Sequence, residues 1–207
     1  MVDVHIITRP TDNQKWLCQC IDSLEDEPVT VHLVDGVQGD TAAGRMKGFS
    51  QGNHPYVSFV DPDDYVRPGI FKKLVNVLER LPEAVMAYSD QVLVDEYSNE
   101  ILPGWSADPS YFWAHGQPIS LLCSQGQYIH HLNVMRRDAV TRCLPLTPKQ
   151  GPEAVLFRKL ARLGWLMHVP VVGYYWRQHA NNTYKTYTDA EYRELATELE
   201  KIPKGAV

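Results

Sequence analysis

The stretch Tyr56-Val-Ser-Phe-Val-Asp-Pro-Asp-Asp-Tyr65 decides the fold of this chain of 207 residues. It begins as a short apolar strand and ends in three carboxylates within four residues, those of Asp61, Asp63 and Asp64. Like charges so close together repel one another unless a cation or hydrogen bonds compensate them. Oxygen ligands suit Mg²⁺ or Mn²⁺, so the stretch predicts a divalent-metal site at a strand end. An aspartate-rich turn, with Asp64 capping the next helix, is the alternative.

Strand and helix patterns alternate on both sides of this stretch. Val2 to Thr8 and Val29 to Asp35 are rich in β-branched residues, and apolar residues between Trp16 and Leu24 recur at helical spacing. Farther along, Pro68 begins a helical pattern that Pro82 ends. The alternation predicts an α/β protein whose mostly parallel sheet has helices on both faces and binds ligands at the carboxyl ends of its strands.

The second half of the chain has weaker patterns. They predict strands at 84–88, 91–95 and 167–175, a helix at 153–163, and a last helix after a capping box at Thr188. Residues 102–127 show neither the period of 2 that is typical of strands nor the period of 3.6 that is typical of helices. This segment is a candidate substrate-facing loop. Its aromatic side chains predict either an apolar platform for a sugar or base, or anchors that hold the loop on the core. They are Trp105, Tyr111, Phe112 and Trp113.

Composition and charge exclude several classes of protein. With 44% hydrophobic and 22% charged residues the chain is expected to be one soluble domain, and a net charge of -5 gives no overall attraction to nucleic acid or anionic membranes. The N-terminus has no secretory signal pattern, so we expect a cytoplasmic protein without stable membrane insertion. The spacing of Gly36, Gly39 and Gly44 is not that of a dinucleotide-binding fingerprint. Aspartyl-phosphate enzymes are disfavoured because their motif normally follows the first strand, not the third.

Several motifs occur in the order typical of glycosyltransferase family 2, and the chain resembles that family and its GT-A fold over most of its length. Val60-Asp-Pro-Asp-Asp64 matches the metal motif of the family and is the most specific match. Arg45-Met-Lys-Gly48 resembles an Arg-Asn-x-Gly element, with Met in place of Asn. Three further segments resemble the Pro-Thr-x-Asn loop, the acidic end of the second strand, and the Arg-x-His segment of the family: Pro10–Asn13, Val34–Gly36 and Tyr175–His179.

The resemblance implies roles for the matching residues. The first two loops would hold the base and ribose of a nucleotide, and two arginines would bind its diphosphate. The donor-binding residues implied in this way are Thr8, Pro10, Thr11, Asp35, Arg45, Asp61 and Arg177. For Arg45, as for Lys47, an exposed helix charge is the alternative.

The resemblance also implies a metal site and a general base. Asp61 and Asp63, completed by His179, would hold Mn²⁺ or Mg²⁺, which neutralises a leaving diphosphate. Gly151-Pro-Glu153 resembles the element that carries the catalytic carboxylate of the family, so Glu153 would take the proton of an acceptor hydroxyl. Alternatively, Glu153 only complements the dipole of the helix that it begins. For His179, the alternative is a solvent-exposed histidine without a role in the site. The participation of Asp64 in metal binding stays open.

These observations predict one GT-A domain over residues 1–207. It would have a nucleotide-sugar-binding half (1–95), an acceptor-side half (96–184) and a C-terminal helix (188–202). The predicted function is metal-dependent, inverting transfer from a nucleotide-diphosphate sugar, with uridine as the expected nucleoside, by a bacterial or phage enzyme. A saccharide, a protein or a modified nucleobase remains open as the acceptor. Two alternatives remain: a non-catalytic sugar-nucleotide or glycan-binding protein, and a sugar nucleotidyltransferase, whose Gly-rich basic loop is not found at Thr8–Thr11.

Overall fold

The computed structural model describes residues 1–105, 129 and 131–202 of the chain. Within these residues, eight strands form a single sheet: β1 (Val2–Thr8), β2 (Val29–Asp35), β3 (Tyr56–Phe59), β4 (Tyr65–Val66), β5 (Ala84–Val94), β6 (Glu100–Trp105), β7 (Asn133–Arg136) and β8 (Trp165–Arg177). The strand order is β2-β1-β3-β7-β5-β8-β4. β6 is not part of this order and pairs with β5.

Six helices connect the described strands or follow them: α1 (Gln14–Asp22), α2 (Thr41–Phe49), α3 (Ile70–Arg80), α4 (Arg137–Cys143), α5 (Pro152–Leu160) and α6 (Asp189–Lys201). A short 3-10 helix at Thr183–Thr186 precedes α6. No helix within 1–105, 129 and 131–202 combines the length and apolar character that crossing a bilayer requires.

The sheet is mixed, with its longest ladders parallel. β1 lies parallel to both β2 and β3, and β5 lies parallel to β8 over most of its length. The other four pairs of the described strands are antiparallel: β3 with β7, β5 with β7, β5 with β6, and β4 with β8. The expected mostly parallel sheet therefore holds for the N-terminal part, whereas the C-terminal part adds antiparallel neighbours.

Helices cover both faces of the sheet, as predicted. On one face, α1 and α3 pack through Cys20, Phe71 and Leu74 against β1 and β3. On the other face, α2, α4 and α5 pack through residues such as Phe49 and Phe157 against β3 and β5. Because side chains alternate along a strand, β3 contributes to both cores. The ends of the strands are left between the two helical layers.

Local chemistry fixes where the helices near the strand ends begin. Asn13 caps α1 by accepting bonds from the next turn, and Asp40 does the same for α2 through Ala43 N–H. Gly151 precedes α5 with a φ of 65°, a conformation that favours glycine. The predicted capping box at Thr188 is present at the start of α6. These caps set the direction in which α2 and α5 leave the edge of the sheet.

The structure differs from the predicted elements in two ways. The two strands expected at 84–88 and 91–95 are one strand, β5, which continues through an irregularity at Ser89–Gln91. No pattern in the sequence predicted α2, β4, β6, β7 or α4, and β6 includes residues 102–105, which were expected to belong to a loop. The aromatic platform lies outside the described residues, except for the backbone of Trp105, which ends β6. Its proposed role stays a prediction.

Candidate functional site

A cleft of about 490 Å³ lies at the carboxyl ends of β1, β2 and β3. Ile7 and Arg9 line it from the end of β1, and Gly36 from the end of β2. Asp61 enters it from the end of β3, and Glu153 from the first turn of α5. The structure therefore brings together the predicted general base and the predicted metal motif, although they are far apart in sequence.

Arg45 links the two carboxylates of this cleft. Its Nε donates to Glu153 Oε1 and its Nη2 donates to Asp61 Oδ1, both at 2.7 Å. The guanidinium lies 3.8 Å over the Phe59 ring, and only 3% of the residue is exposed. Burial acts to lower the pKa of Arg45, but the two carboxylates raise it, so the side chain stays charged. Arg45 is therefore a buried bridge and not the exposed helix charge considered as an alternative.

The backbone of Asp61 is fixed while its side chain stays accessible. Its N–H donates to Tyr174 Oη at 3.1 Å, and its carbonyl accepts from Cys20 Sγ at 3.4 Å. The side chain is 35% exposed. Burial acts to raise the pKa of this carboxyl, but the charges of Arg45 and His131 lower it to about 2. Asp61 is thus an ionised carboxylate held at a fixed place in the cleft.

Asp63 forms a pair with His179. The prediction that both residues hold one metal ion requires such proximity. His179 Nε2 lies 2.7 Å from Asp63 Oδ2, and the His179 ring packs on Trp16 with 4.8 Å between ring centroids. Asp63 is 27% exposed and lines the cleft. The histidine is therefore not a free surface group but a partner of the Asp63 carboxylate.

Asp64 is directed into the protein interior. Its carboxylate accepts from the Tyr174 hydroxyl and from the Arg177 backbone N–H, both at 2.7 Å. Burial and the adjacent charges of Asp63 and Asp61 raise the pKa of Asp64 well above its usual value. Asp64 therefore anchors the loop after β3 to β8.

Arg177 has a different role from the one predicted for it. Its guanidinium is buried and is bonded to the protein: Nε donates to the Asp63 carbonyl, Nη2 to Gln19 Oε1, and Nη1 to the Asp95 carbonyl, at 2.7–3.0 Å. With 1% of the residue exposed, it lies beneath the loop that carries Asp63. The prediction that Arg177 binds the donor is corrected accordingly: it supports the metal-motif loop from below.

A family model supplies the comparison that decides the classification. The model described as Glycosyl transferase family 2 matches residues 11–144, which is more than half of the chain. The chain belongs to glycosyl transferase family 2. No curated protein sequence is similar enough to the chain to count as a relative.

Solved structures agree with this family on the fold. The crystal structure of S. aureus TarS 1–349 in complex with UDP-GlcNAc matches with a TM-score of 0.71 at 12% identity, covering 95% of this chain and 66% of that one. The complex of the same TarS fragment with UDP has a TM-score of 0.63 at 13% identity, and covers 95% and 64%. The chain thus spans slightly less than two thirds of these structures. A further S. aureus TarS structure has a TM-score of 0.58 at 13% identity, with coverage of 96% and 42%. The fold is GT-A, as predicted.

The predicted nucleotide-binding loops lie beside two neighbouring clefts. Thr11 lines a second cleft of about 510 Å³, between the start of α1 and the Asp63–His179 pair. Thr8, Pro10 and Asp35 are not among the described residues that line either cleft, although their neighbours Ile7, Arg9 and Gly36 line the first. The Thr8 carbonyl instead accepts from Gly36 N–H at 2.9 Å, which joins the ends of β1 and β2.

The carboxylates fit a cation that is shared with a substrate, but not a closed metal site. No group of three or more His, Cys, Asp or Glu side chains among the described residues is arranged to hold a metal ion. Arg45 occupies one oxygen of Asp61, and His179 one oxygen of Asp63. Magnesium in nucleotide sites is commonly held by one or two carboxylates plus substrate phosphates. Asp63, which faces the cleft and remains partly exposed, fits that arrangement.

Two features of the site had no clear signal in the sequence. His131 lines the cleft with Nε2 3.6 Å from Asp61 Oδ2 and its ring stacked on Tyr174. The His130-His131 pair lacks the spacing of a metal motif, so its pattern predicts no role in the site. The start of α2 contacts the loop before α5: Thr41 Oγ1 donates to Gln150 Oε1, and Ala42 N–H to the Lys149 carbonyl. These contacts bring the helix of Arg45 to the helix of Glu153.

Proposed function

We propose that the chain transfers a sugar from a uridine-diphosphate sugar to an acceptor hydroxyl, with inversion at the anomeric carbon. The observation that carries the proposal is that Glu153 and the Asp61–Asp63 loop face one cleft, at the strand ends where α/β proteins bind ligands. Membership of glycosyl transferase family 2 supports the reaction class. The UDP-GlcNAc and UDP of the S. aureus TarS structures support the choice of donor.

In the proposed reaction, Glu153 is the general base. Its carboxylate is 21% exposed in the cleft and is held through Oε1 by Arg45. Glu153 takes the proton of the acceptor hydroxyl while that oxygen attacks the anomeric carbon. The new bond joins the acceptor oxygen to this carbon, and the bond from the carbon to the phosphate oxygen breaks. The electron pair leaves with the uridine diphosphate, and a single displacement inverts the configuration.

The donor would lie across the ends of β1, β2 and β3. Arg9 and Gly36 line the part of the cleft nearest the ends of β1 and β2, where the nucleoside would bind. Asp61 and Asp63 would then lie at the diphosphate. Their negative charge would repel that group, so a Mn²⁺ or Mg²⁺ ion held by Asp63 beside His179 is part of the proposal. When bound, such an ion neutralises the charge that develops on the leaving diphosphate.

The experiment that tests the proposed function compares turnover and donor binding. UDP-GlcNAc and other UDP-sugars are offered with Mn²⁺ and a panel of saccharide, protein and hydroxymethylated-DNA acceptors, and release of UDP is measured. Glu153→Gln is expected to lower turnover by about 10²-fold or more and to leave the affinity for UDP within about threefold. Glu200→Gln, which removes an exposed carboxylate of α6, is the matched control.

Three results would count against parts of the proposal. If the wild type releases UDP from none of these donors but binds them, the non-catalytic binding protein becomes the better explanation. If Glu153→Gln keeps turnover within about threefold, well short of the loss expected for a general base, Glu153 is not that base. If Asp63→Asn leaves the Mn²⁺ dependence of UDP binding unchanged, the cation does not bind at Asp63.

A further inference from the structure

Arg45 contacts both halves of the proposed active site. On one side it bonds to Asp61, at the donor, and on the other to Glu153, the proposed base. We propose that Arg45 is a positioning residue that orients Glu153 toward the acceptor hydroxyl and holds it at a fixed place relative to Asp61. The inference rests on the proposed function and assigns to Arg45 a role other than donor binding.

The contacts of Arg45 explain why its role is positioning. A residue that is 3% exposed presents little surface to a donor phosphate, and two of its three nitrogens are already bonded to carboxylates. The remaining nitrogen, Nη1, is buried and has no hydrogen-bond partner. The guanidinium carbon lies 3.8 Å over the ring of Phe59, a core residue of β3, and this contact limits the movement of the guanidinium. With Oε1 bonded to Arg45, Glu153 has only its second oxygen to offer to an acceptor.

The helix that carries Arg45 is itself held against the base. The bonds from Thr41 to Gln150 and from Ala42 to Lys149 join the first turn of α2 to the segment directly before α5. Gly151 then turns the chain into α5, so that Glu153 enters the cleft from its first turn. Arg45 and Glu153 therefore lie on helices whose starting turns are connected. A rigid connection of this kind is what a catalytic group needs to hold one geometry.

The chemistry of the side chain requires an arginine. A guanidinium presents N–H groups in a fixed planar fork, and here two nitrogens of one fork contact two carboxylates that would otherwise repel each other. A lysine at this position keeps the charge but has one nitrogen, which cannot reproduce both directions. Glutamine removes the charge and the fork. The two substitutions therefore separate the contribution of charge from that of geometry.

The test measures kcat and KM for UDP-GlcNAc turnover, the affinity for UDP and the melting temperature. We expect Arg45→Gln to lower kcat by about 10²-fold, since small misplacements of a catalytic group have effects of that order, with KM for UDP-GlcNAc and the affinity for UDP within about threefold. Arg45→Lys is expected to recover about tenfold of this loss. Arg80→Gln, which removes an exposed arginine of α3, is the matched control. An increase in KM for UDP-GlcNAc of tenfold or more with kcat little changed would show donor binding and overturn the inference.

A double-mutant cycle decides whether Arg45 acts through Glu153. Glu153→Asp keeps a carboxylate but shortens the side chain, so it should already break the bond to Arg45 and leave measurable turnover. If Arg45 acts by orienting Glu153, Arg45→Gln lowers kcat by no more than about threefold further in this background. A full 10²-fold loss in the Glu153→Asp background would show that Arg45 acts independently, and would overturn the inference. If Arg45→Gln does not fold, Arg45→Lys is used in the same cycle.

The outcomes also separate this inference from the proposed function. A wild type that turns over no UDP-sugar overturns the proposed function and the inference with it. A wild type that is active, with Glu153→Gln inactive and Arg45→Gln fully active, overturns only the inference. In the latter case Glu153 remains the base and needs no arginine to orient it.

Discussion

Two buried arginines, Arg45 and Arg177, flank the loop after β3 and hold it in opposite ways. Arg45 bonds to carboxylate side chains that face the cleft, those of Asp61 and Glu153. Arg177 bonds chiefly to backbone carbonyls and to Gln19, and its guanidinium lies behind the loop. The first arrangement fixes chemical groups with respect to each other, whereas the second fixes the path of the chain.

The partners of a buried arginine indicate its role. Carbonyl groups cannot take part in proton transfer, so an arginine surrounded by them contributes to stability. Carboxylates at the edge of a cleft can bind a cation or accept a proton, so an arginine between them is expected to affect the proposed reaction.

The largest effect is expected from Arg177→Met. The substitution leaves the carbonyls of Asp63 and Asp95 and the amide of Gln19 without their buried donor. We expect the free energy of unfolding to fall by about 3–5 kcal/mol, because removing one partner of a buried charged network leaves polar groups unsatisfied. Denaturant unfolding monitored by circular dichroism measures this. A loss below about 1 kcal/mol, less than one charged hydrogen bond contributes, would end the contrast with Arg45.

The second prediction concerns the packing of α2, the helix that carries Arg45, on β1. Gly48 packs α2 directly on His5, and a Cβ at this position would clash with the His5 ring, which is enclosed by Phe49 and Phe59. Gly48→Ala is therefore expected to move α2 and to lower the free energy of unfolding by up to about 3 kcal/mol. Because α2 carries Arg45, kcat should fall as well. A variant that is less stable but has unchanged kcat would show that the position of Arg45 does not depend on α2.

A third arginine tests whether pairing with a carboxylate is enough for a catalytic role. Arg137 bonds to Asp3 and to the carbonyls of His54 and Phe49, and neither it nor Asp3 lines the two clefts described above. Asp3→Asn is expected to lower the free energy of unfolding by about 2 kcal/mol at neutral pH. Turnover of the folded protein should be unchanged. A loss of turnover without unfolding would contradict the distinction.

The same carboxylate predicts a dependence of stability on pH. Burial acts to raise the pKa of Asp3, but hydrogen bonds from His32 and the His54 N–H, together with Arg137, lower it. The unfolded-state value is about 3.9, so the contribution of Asp3 is present above about pH 4 and is lost as the pH falls through the lower folded-state pKa. The difference in stability between wild type and Asp3→Asn should shrink across that range. A difference that stays constant down to pH 3 would argue against it.

The smallest effect is expected at the contact between α2 and the loop before α5. Thr41→Val removes the hydrogen bond to Gln150 while keeping the size of the side chain. We expect about 1 kcal/mol of lost stability and a decrease in kcat of about threefold. Kinetics at fixed temperature, with Thr197→Val on α6 as control, measure this. If kcat is equal in the two variants, the contact between Thr41 and Gln150 does not help to orient Glu153, and Arg45 alone does so.

Much of the fold was predictable because its signals are local. The strands β1 and β2 and the helix α3 have patterns of β-branched or apolar residues that stand out in a single sequence. The capping box of α6 depends on residues three positions apart. By contrast, α2 contains Gly44 and Gly48, which weaken a helix in isolation, and forms because it packs on β1. The short elements β7 and α4 likewise depend on their neighbours in the sheet and core.

The candidate site was predictable in its residues more than in their roles. Asp61, Asp63 and Glu153 line one cleft and His179 contacts Asp63, because each of them follows a strand or begins a helix. The functions of Arg45 and Arg177 depend on which atoms they meet after folding, and those partners are as much as 158 positions away. No spacing rule within a short motif can distinguish a bridging arginine from a supporting one.

The contact between Trp16 and His179 allows the site to be followed by tryptophan fluorescence. The centroid of the indole ring lies 4.8 Å from that of an imidazole that is bonded to Asp63, so the surroundings of the indole depend on the position of His179. A cation or nucleotide that displaces His179 from Asp63 would therefore change the emission of Trp16, and Trp16→Phe would isolate that signal from the other four tryptophans of the chain's five. The protein carries its own optical reporter at the loop after β3.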